Sequence, residues 1–291
     1  MISPYVRRLR LADELIRVRT AKKITHDQLA KMIKGHRPTI SKLENGHIAP
    51  NLDDVFKILE ALEVTGDEWE LIVRIAREAA ERGWWELKAK SMGERQALYA
   101  NLEAGANRVR EFQPAVAPGL LQSQEYAGAR LKAGWTQGKD GVTIEGILDG
   151  RKGRQRMFNR PSGPLYEVIL DEVFVRRASA PPEALARQFQ LLAEKAAEQR
   201  ISLLILPLDA VIPTFVVPTV TFSMYDYPED PPVVAVENVG ADYVATSPEE
   251  VSRYVDRYNL LRDACLTPND SIELLITSAD RLLTSPEKET T

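Results

Sequence analysis

Between His36 and Gly46 the chain reads HRPTISKLENG, a short segment whose residue types and spacing could do chemistry. Wound as an α-helix at about 100° per residue, it turns Ile40 and Leu43 to one side. Arg37, Pro38, Thr39, Ser41, Lys42 and Asn45 then occupy or flank the other. One apolar edge would hold such a helix, leaving a guanidinium, an ammonium, hydroxyls and an amide facing outward. The free amides and positive dipole end of its first turn add an attraction for phosphate. A polyanion is the partner this chemistry suits.

The charge distribution points the same way. The formal net charge is −4 over 291 residues, but residues 1–50 hold 11 Lys and Arg against 4 Asp and Glu, a balance of +7. The other 241 hold 27 against 38. A basic end on an acidic body suggests one module that meets a polyanion and one that does not. His26, His36 and His47 all lie in the basic end, which excludes a histidine base or a histidine zinc site from the rest. One cysteine, Cys265, allows neither a disulfide nor a cysteine metal cage within the chain. There is no Gly-rich phosphate loop and no Ser/His/Asp set, so no catalysis, metal or cofactor is expected. The N-terminal stretch has no apolar signal core, and the most apolar run, 203–220, contains three prolines and Asp209. A cytoplasmic protein without membrane attachment is expected.

The elements that must position these residues follow from periodicity and caps. Leu11, Leu15 and Val18 predict a helix over 5–23, and Thr25 caps a second, HDQLAKMIK. Gly35 breaks it, the segment 36–46 forms the third, Asn51 caps a fourth, and Thr65 or Asp67 starts a fifth reaching Gly83. This is an all-α domain over 1–83 with its core at 7–64. Beyond Trp84-Trp85, a capping box of Ser91 and Glu94 predicts a helix running on through ALYANLEAGANRVREF. Further helices are predicted after Ser123, over 143–158 and 183–199, and from Ser247-Pro248 onward. Strands are predicted at 165–170, 201–207, 214–225 and 232–239. The second unit, 84–285, is therefore expected to be α+β with a small mixed or antiparallel sheet, followed by a disordered tail over 286–291.

The run ITHDQLAKMIKGHRPTISKLENG resembles the phage-repressor (Cro/C1, XRE-type) helix-turn-helix in its LA, its turn, and its IS, LE and NG pairs. The resemblance covers 7–64 and implies double-stranded DNA as partner, contacted by a helix-turn-helix whose third helix lies in the groove. It implies that Arg37, Pro38 and Thr39 meet base edges, with Ser41, Lys42 and Asn45 further along the helix and His26 on a phosphate. It also implies a bond between Glu44 and Arg19. Pro38 stands where the family has a polar residue, and His36 replaces its usual Ser or Thr cap. A head of +7 is small for high specificity alone, so a homodimer on a near-palindromic operator is expected.

A second resemblance rests on Trp84-Trp85, PGLLQ at 118–122 with Tyr126-Ala127, Arg151 and Arg154-Gln155, Asp171-Glu172 and Leu206-Pro207. These are similar to the C-terminal domain of actinobacterial regulators related to the sporulation regulator WhiJ and described as antitoxin-like. The likeness spans about 84–283 and implies transcription regulation, often beside a small partner protein, without supplying an effector. Trp84, Trp85, Gln122, Tyr126, Arg151, Arg154 and Gln155 are candidates for a ligand or partner site; they suit a packed core equally well. Two readings stand: a regulator whose second domain senses a small-molecule effector or small partner protein, and an antitoxin-like interaction module with autoregulatory DNA binding.

Overall fold

Ser3 and Pro4 start the first helix, α1 (Pro4–Ala21): the serine hydroxyl accepts the Val6 amide, and proline sits where no donor is needed. This computed structural model describes residues 2–46, 48–134, 141–213, 215 and 219–284; the predicted tail over 286–291 lies outside the described residues. Thr25 and Gln28 form a reciprocal capping box on α2 (His26–Met32). After a short turn come α3 (Arg37–Glu44), α4 (Leu52–Ala61), capped by Asn51, and α5 (Gly66–Ala80). Leu11, Leu15, Leu29, Ile40, Leu43, Ile58 and Ile72 are among the residues that close one core inside these five helices.

The chain continues through α6 (Trp84–Met92), α7 (Glu94–Glu103), β1 (Arg108–Gln113), a 3-10 turn at Gly119–Leu121, α8 (Gln124–Gly134) and α9 (Ile144–Phe158). Next come β2 (Leu165–Asp171), α10 (Glu172–Arg176), α11 (Pro182–Ala197), β3 (Ser202–Leu206), β4 (Phe222–Asp226) and β5 (Val233–Val236). The chain closes with β6 (Tyr243–Ala245), α12 (Pro248–Asp263) and α13 (Pro268–Thr284). The strands make one six-stranded sheet in the order β3-β2-β1-β4-β5-β6. Its first three members are parallel and the rest antiparallel, with Val109 opposite both Tyr166 and Tyr225. The sheet is thus mixed. One face packs Val168, Leu170 and Ile205 with Phe189, Leu192, Leu275 and Ala279 of α11 and α13. The other packs Phe112, Ile169 and Phe222 with Tyr258 and Leu261 of α12.

Three expectations are corrected. Ser91 lies inside α6, where its hydroxyl donates to the Lys88 carbonyl, so it does not cap α7; the break falls at Gly93. The helix expected to run on to Phe112 stops at Glu103. Gly105 takes φ 80°, a turn that side-chain-bearing residues rarely make, and RVREFQ becomes the central strand β1. The strand expected over 214–225 is confined, among the described residues, to Phe222–Asp226, while β6 was not foreseen.

Helix α1 belongs to both halves of the molecule. Its later residues Leu11, Leu15 and Val18 fill the helical core, whereas Val6 is buried in the core under the sheet, with Tyr5 and Leu9 packed against it. The Arg7 guanidinium is nearly inaccessible and forms ion pairs with Glu78 of α5 at 2.8 Å, and with Glu229 and Asp230 at 3.0 Å. Those last two acids come from the YDYPEDPP segment, which forms the loop between β4 and β5. Arg74 of α5 also reaches Glu229, at 3.2 Å, and Arg8 bonds the Ala79 carbonyl and Glu86.

Candidate DNA interface and polar cavity

The outward side of α3 is open along its length. Arg37, Pro38, Lys42 and Asn45 are exposed, and Thr39 and Ser41 are half-buried. Arg37 lies 3.4 Å from Asp27, but both side chains are largely solvated, so the contact leaves the guanidinium available. The Asn45 amide folds back to donate to the Ser41 carbonyl at 2.6 Å. His36 forms no side-chain cap, so no side chain of its own competes for the first amides of α3. His26 is half-buried, and its Nε2 lies 2.8 Å from Glu44 Oε2. One ring nitrogen is therefore engaged within the protein.

Glu44 is the anchor behind this face. Arg19 donates through Nε and Nη2 to its two carboxylate oxygens, each at 2.7 Å, and through Nη1 to the Ile24 carbonyl at 2.8 Å. A forked pair of this kind fixes α1 against α3 with geometric specificity. Burial pulls the Glu44 carboxyl upward, but the bonds from Arg19 and His26 outweigh it and hold it below the ordinary range. The depressed value means that its contribution to stability is present above the unfolded carboxyl pKa, about 4.3, and is lost as pH falls through the folded value. Glu44→Ala leaves Arg19 facing a gap at a side-chain exposure of 12%. It is expected to cost about 3 kcal/mol, the lower end for a broken buried pair. Urea denaturation of the full chain at neutral pH measures this, and an unchanged midpoint would contradict it.

In the second half, α7, β1, the 3-10 turn, α8 and α9 enclose a cavity of about 290 Å³. The turn is PGLLQ, which buries Leu120 and Leu121. Three glutamines clasp its backbone. Gln122 donates to the Ala117 carbonyl at 2.7 Å, Gln155 to those of Leu120 and Gln122 at 3.2 and 2.8 Å, and Gln188 to that of Leu121 at 2.9 Å. Gln188 also accepts the Ser123 amide at 2.8 Å. The turn is thereby rigid on the side that faces the cavity.

Of the side chains singled out from the sequence, Gln122, Arg151 and Arg154 line the cavity. Gln155 sits one bond behind, on the turn's backbone, and Tyr126 is fully buried with its hydroxyl 3.0 Å from Ser179. Trp84 and Trp85 are not brought there. They pack edge-on, with Met92, Ala97, Ala100, Ala104 and Met157 as neighbours. Trp84 lies so close to α9 that a Cβ on Gly153 would meet its ring at 2.3 Å, which accounts for glycine inside that helix.

The cavity's charges are of two kinds. Arg154 is bound to Glu103, 2.9 Å from Nε, and to Gln96. Arg151 is also buried, yet its Nε and Nη1 have no hydrogen-bond partner among the described residues. Burial, then the charges of Arg154 and Arg130, pull its guanidinium down to about 10. On the opposite wall, burial pushes the Glu111 carboxyl up to about 7 against the bonds it accepts from Tyr166 and Gln113. Arg130, Glu103, Glu111 and Gln188 were not identified from sequence. Their partners lie far along the chain and leave no local pattern. Cys265, just past α12, is held as a thiol: burial pushes it up to about 12, and its Sγ donates to the Leu261 carbonyl.

A helix-turn-helix with a solvated cationic third helix, joined to an α+β body, is the build of a DNA-binding regulator, and residues 15–69 match the helix-turn-helix family. Residues 96–277 match the family described as Domain of unknown function (DUF5753). That match takes in more than half of the chain, which therefore belongs to this family. No curated protein and no solved structure matches it. Among the described residues no helix is long and apolar enough to cross a membrane.

Proposed function

We propose that the chain is a sequence-specific transcriptional regulator that binds operator DNA as a homodimer and takes its signal in the second domain as a small ligand. The observation that carries this reading is the outward side of α3, where Arg37, Pro38, Thr39, Ser41 and Lys42 are all accessible while Ile40 and Leu43 are locked in the core. Two such heads would read half-sites about 10 bp apart or a multiple of that. The enclosed cavity supports a small molecule as the signal, because sites of this kind are concave with a few fixed polar groups.

Selection of bound duplexes from a random pool, followed by anisotropy titration, tests the reading. Arg37→Ala is expected to relax base preference at one position by about 1–3 kcal/mol if it reads a guanine. Lys42→Ala is expected to weaken all duplexes alike. Failure to enrich any sequence from the pool would count against it. The alternative, an antitoxin-like partner module, draws support from Leu208, Val211 and Phe215, which are 62%, 76% and 86% exposed. A small protein that co-purifies with the chain and is released by Val211→Asp would favour it.

A further inference from the structure

Arg151 is the one cavity side chain whose chemistry is left unanswered by the fold. It projects from α9 with 8% of its surface exposed, and two of its donor nitrogens are fully covered without an acceptor. Neighbouring charges do not compensate it. Arg154, one turn along the helix, is already neutralised by Glu103. Arg130 of α8 donates to the Ser179 carbonyl at 3.1 Å and lies over the Tyr126 ring, without a carboxylate partner among the described residues. The nearby charges that act on Arg151 are the cations Arg154 and Arg130. Buried guanidinium groups are ordinarily paired, because an uncompensated charge away from water is costly. Here two cations converge on an enclosed space and the pairing group is missing from the chain.

We propose that this cavity binds a small organic oxyanion, a carboxylate or phosphate ester, gripped by the guanidinium groups of Arg151 and Arg130. The fork of a guanidinium matches two oxygens of either group. The volume, about 290 Å³, is near the lower bound of roughly 300 Å³ for small-molecule sites and limits the guest to a small metabolite. The far wall shapes the rest of that guest. Glu111 and Glu237 line it as buried carboxyls whose affinity for protons is raised, first by burial. They select a hydroxyl or amino group at the end away from the anion. Val109, Leu120 and Ala127 supply the apolar walls between the two ends. The proposal rests on the reading of the second domain as a ligand sensor and gives that ligand its class.

The test uses the full chain, with inorganic phosphate and acetate as probes and sodium chloride at equal ionic strength as control. A saturable rise in Tm with one probe beyond the chloride control is expected, and the probe that acts distinguishes a phosphate source from a carboxylate source. Arg151→Met should abolish that rise while its own Tm, without probe, stays level or climbs, because the substitution removes an unpaired buried charge. Arg151→Lys keeps the charge and loses the fork, so it should weaken the probe roughly ten- to a hundredfold. No rise with either probe in the unmodified chain overturns the proposal, as does a rise that survives Arg151→Met. If Arg151→Met fails to fold, Arg151→Lys decides, and undiminished probe binding by it overturns the proposal. DNA binding is measured on the same samples. Intact DNA binding without any probe effect sinks the oxyanion site alone, whereas probe binding without DNA binding sinks the regulator reading alone.

Discussion

Arg154→Ala is expected to destabilise the chain by about 3–5 kcal/mol, the range for removing one partner of a buried ion pair. The Arg154 guanidinium is 6% exposed and holds Glu103, itself 4% exposed, through two nitrogens, while a third reaches Gln96. It also lies 5.4 Å from the centre of the Tyr99 ring. Without it, Glu103 is a carboxylate with nothing to face. The pH dependence has a definite sign. Burial raises the Glu103 carboxyl even with Arg154 in place, so its protonated form is the one the fold favours. Its contribution is fully present below the unfolded carboxyl pKa and is lost as pH rises through the folded value. The deficit of Arg154→Ala should therefore shrink in acid, where Glu103 is neutral, and grow toward neutral pH. Urea denaturation at pH 5 and pH 7 measures both quantities. The pair Arg154→Met with Glu103→Leu should lose far less than Arg154→Ala, since apolar replacement of both partners removes the orphaned charge. Equal losses would mean that packing, not charge, sets the cost.

The affinity for DNA should fall roughly 10³–10⁵-fold between 50 and 200 mM salt, as expected for about 6–10 neutralised phosphates shared by two heads. The charge asymmetry is the reason: the first fifty residues carry +7 within a chain of −4. The acidic body would repel the same backbone and keep contact confined to the heads. Lys42→Ala, which removes one phosphate contact per head, should flatten the slope of log affinity against log salt by about 1 per contact. Anisotropy titration at several salt concentrations gives this slope. A slope near zero would remove the groove-binding arrangement of α3.

Much of the head was legible because local rules agree there. Thr25 and Gln28 form the box their spacing suggests, Ile40 and Leu43 face inward, and Arg19 reaches Glu44 across the helices. The centre of the sheet was illegible for a physical reason. β1 turns Glu111 and Gln113 toward the cavity as buried residues, so RVREFQ lacks the alternation of apolar and polar residues that marks a half-buried strand. Gly105 was the available signal that the preceding helix had ended. The cavity residues were legible in part. Multi-donor side chains drew notice to Gln122, Arg151 and Arg154, but nothing in the order of residues tells a satisfied arginine from an unsatisfied one. Arg154 and Arg151 are three residues apart, and only their partners, 51 residues away for Arg154 and absent among the described residues for Arg151, separate their roles.

The division of α1 bears on how such chains recombine. Tyr5, Val6 and Leu9 are packed with the body's core, and the helix joins the head's core only from Leu11. Topologically, the head is a guest inserted after the first two turns of its host, with its exit near residue 83. A crossover that swapped residues 1–83 for another head would carry away Val6 and Arg7, opening a hole beneath the sheet and stranding Asp230, whose side chain is 6% exposed. The unit that could pass between relatives intact runs instead from about residue 10 to 83, so a productive graft needs two junctions, the first inside a helix.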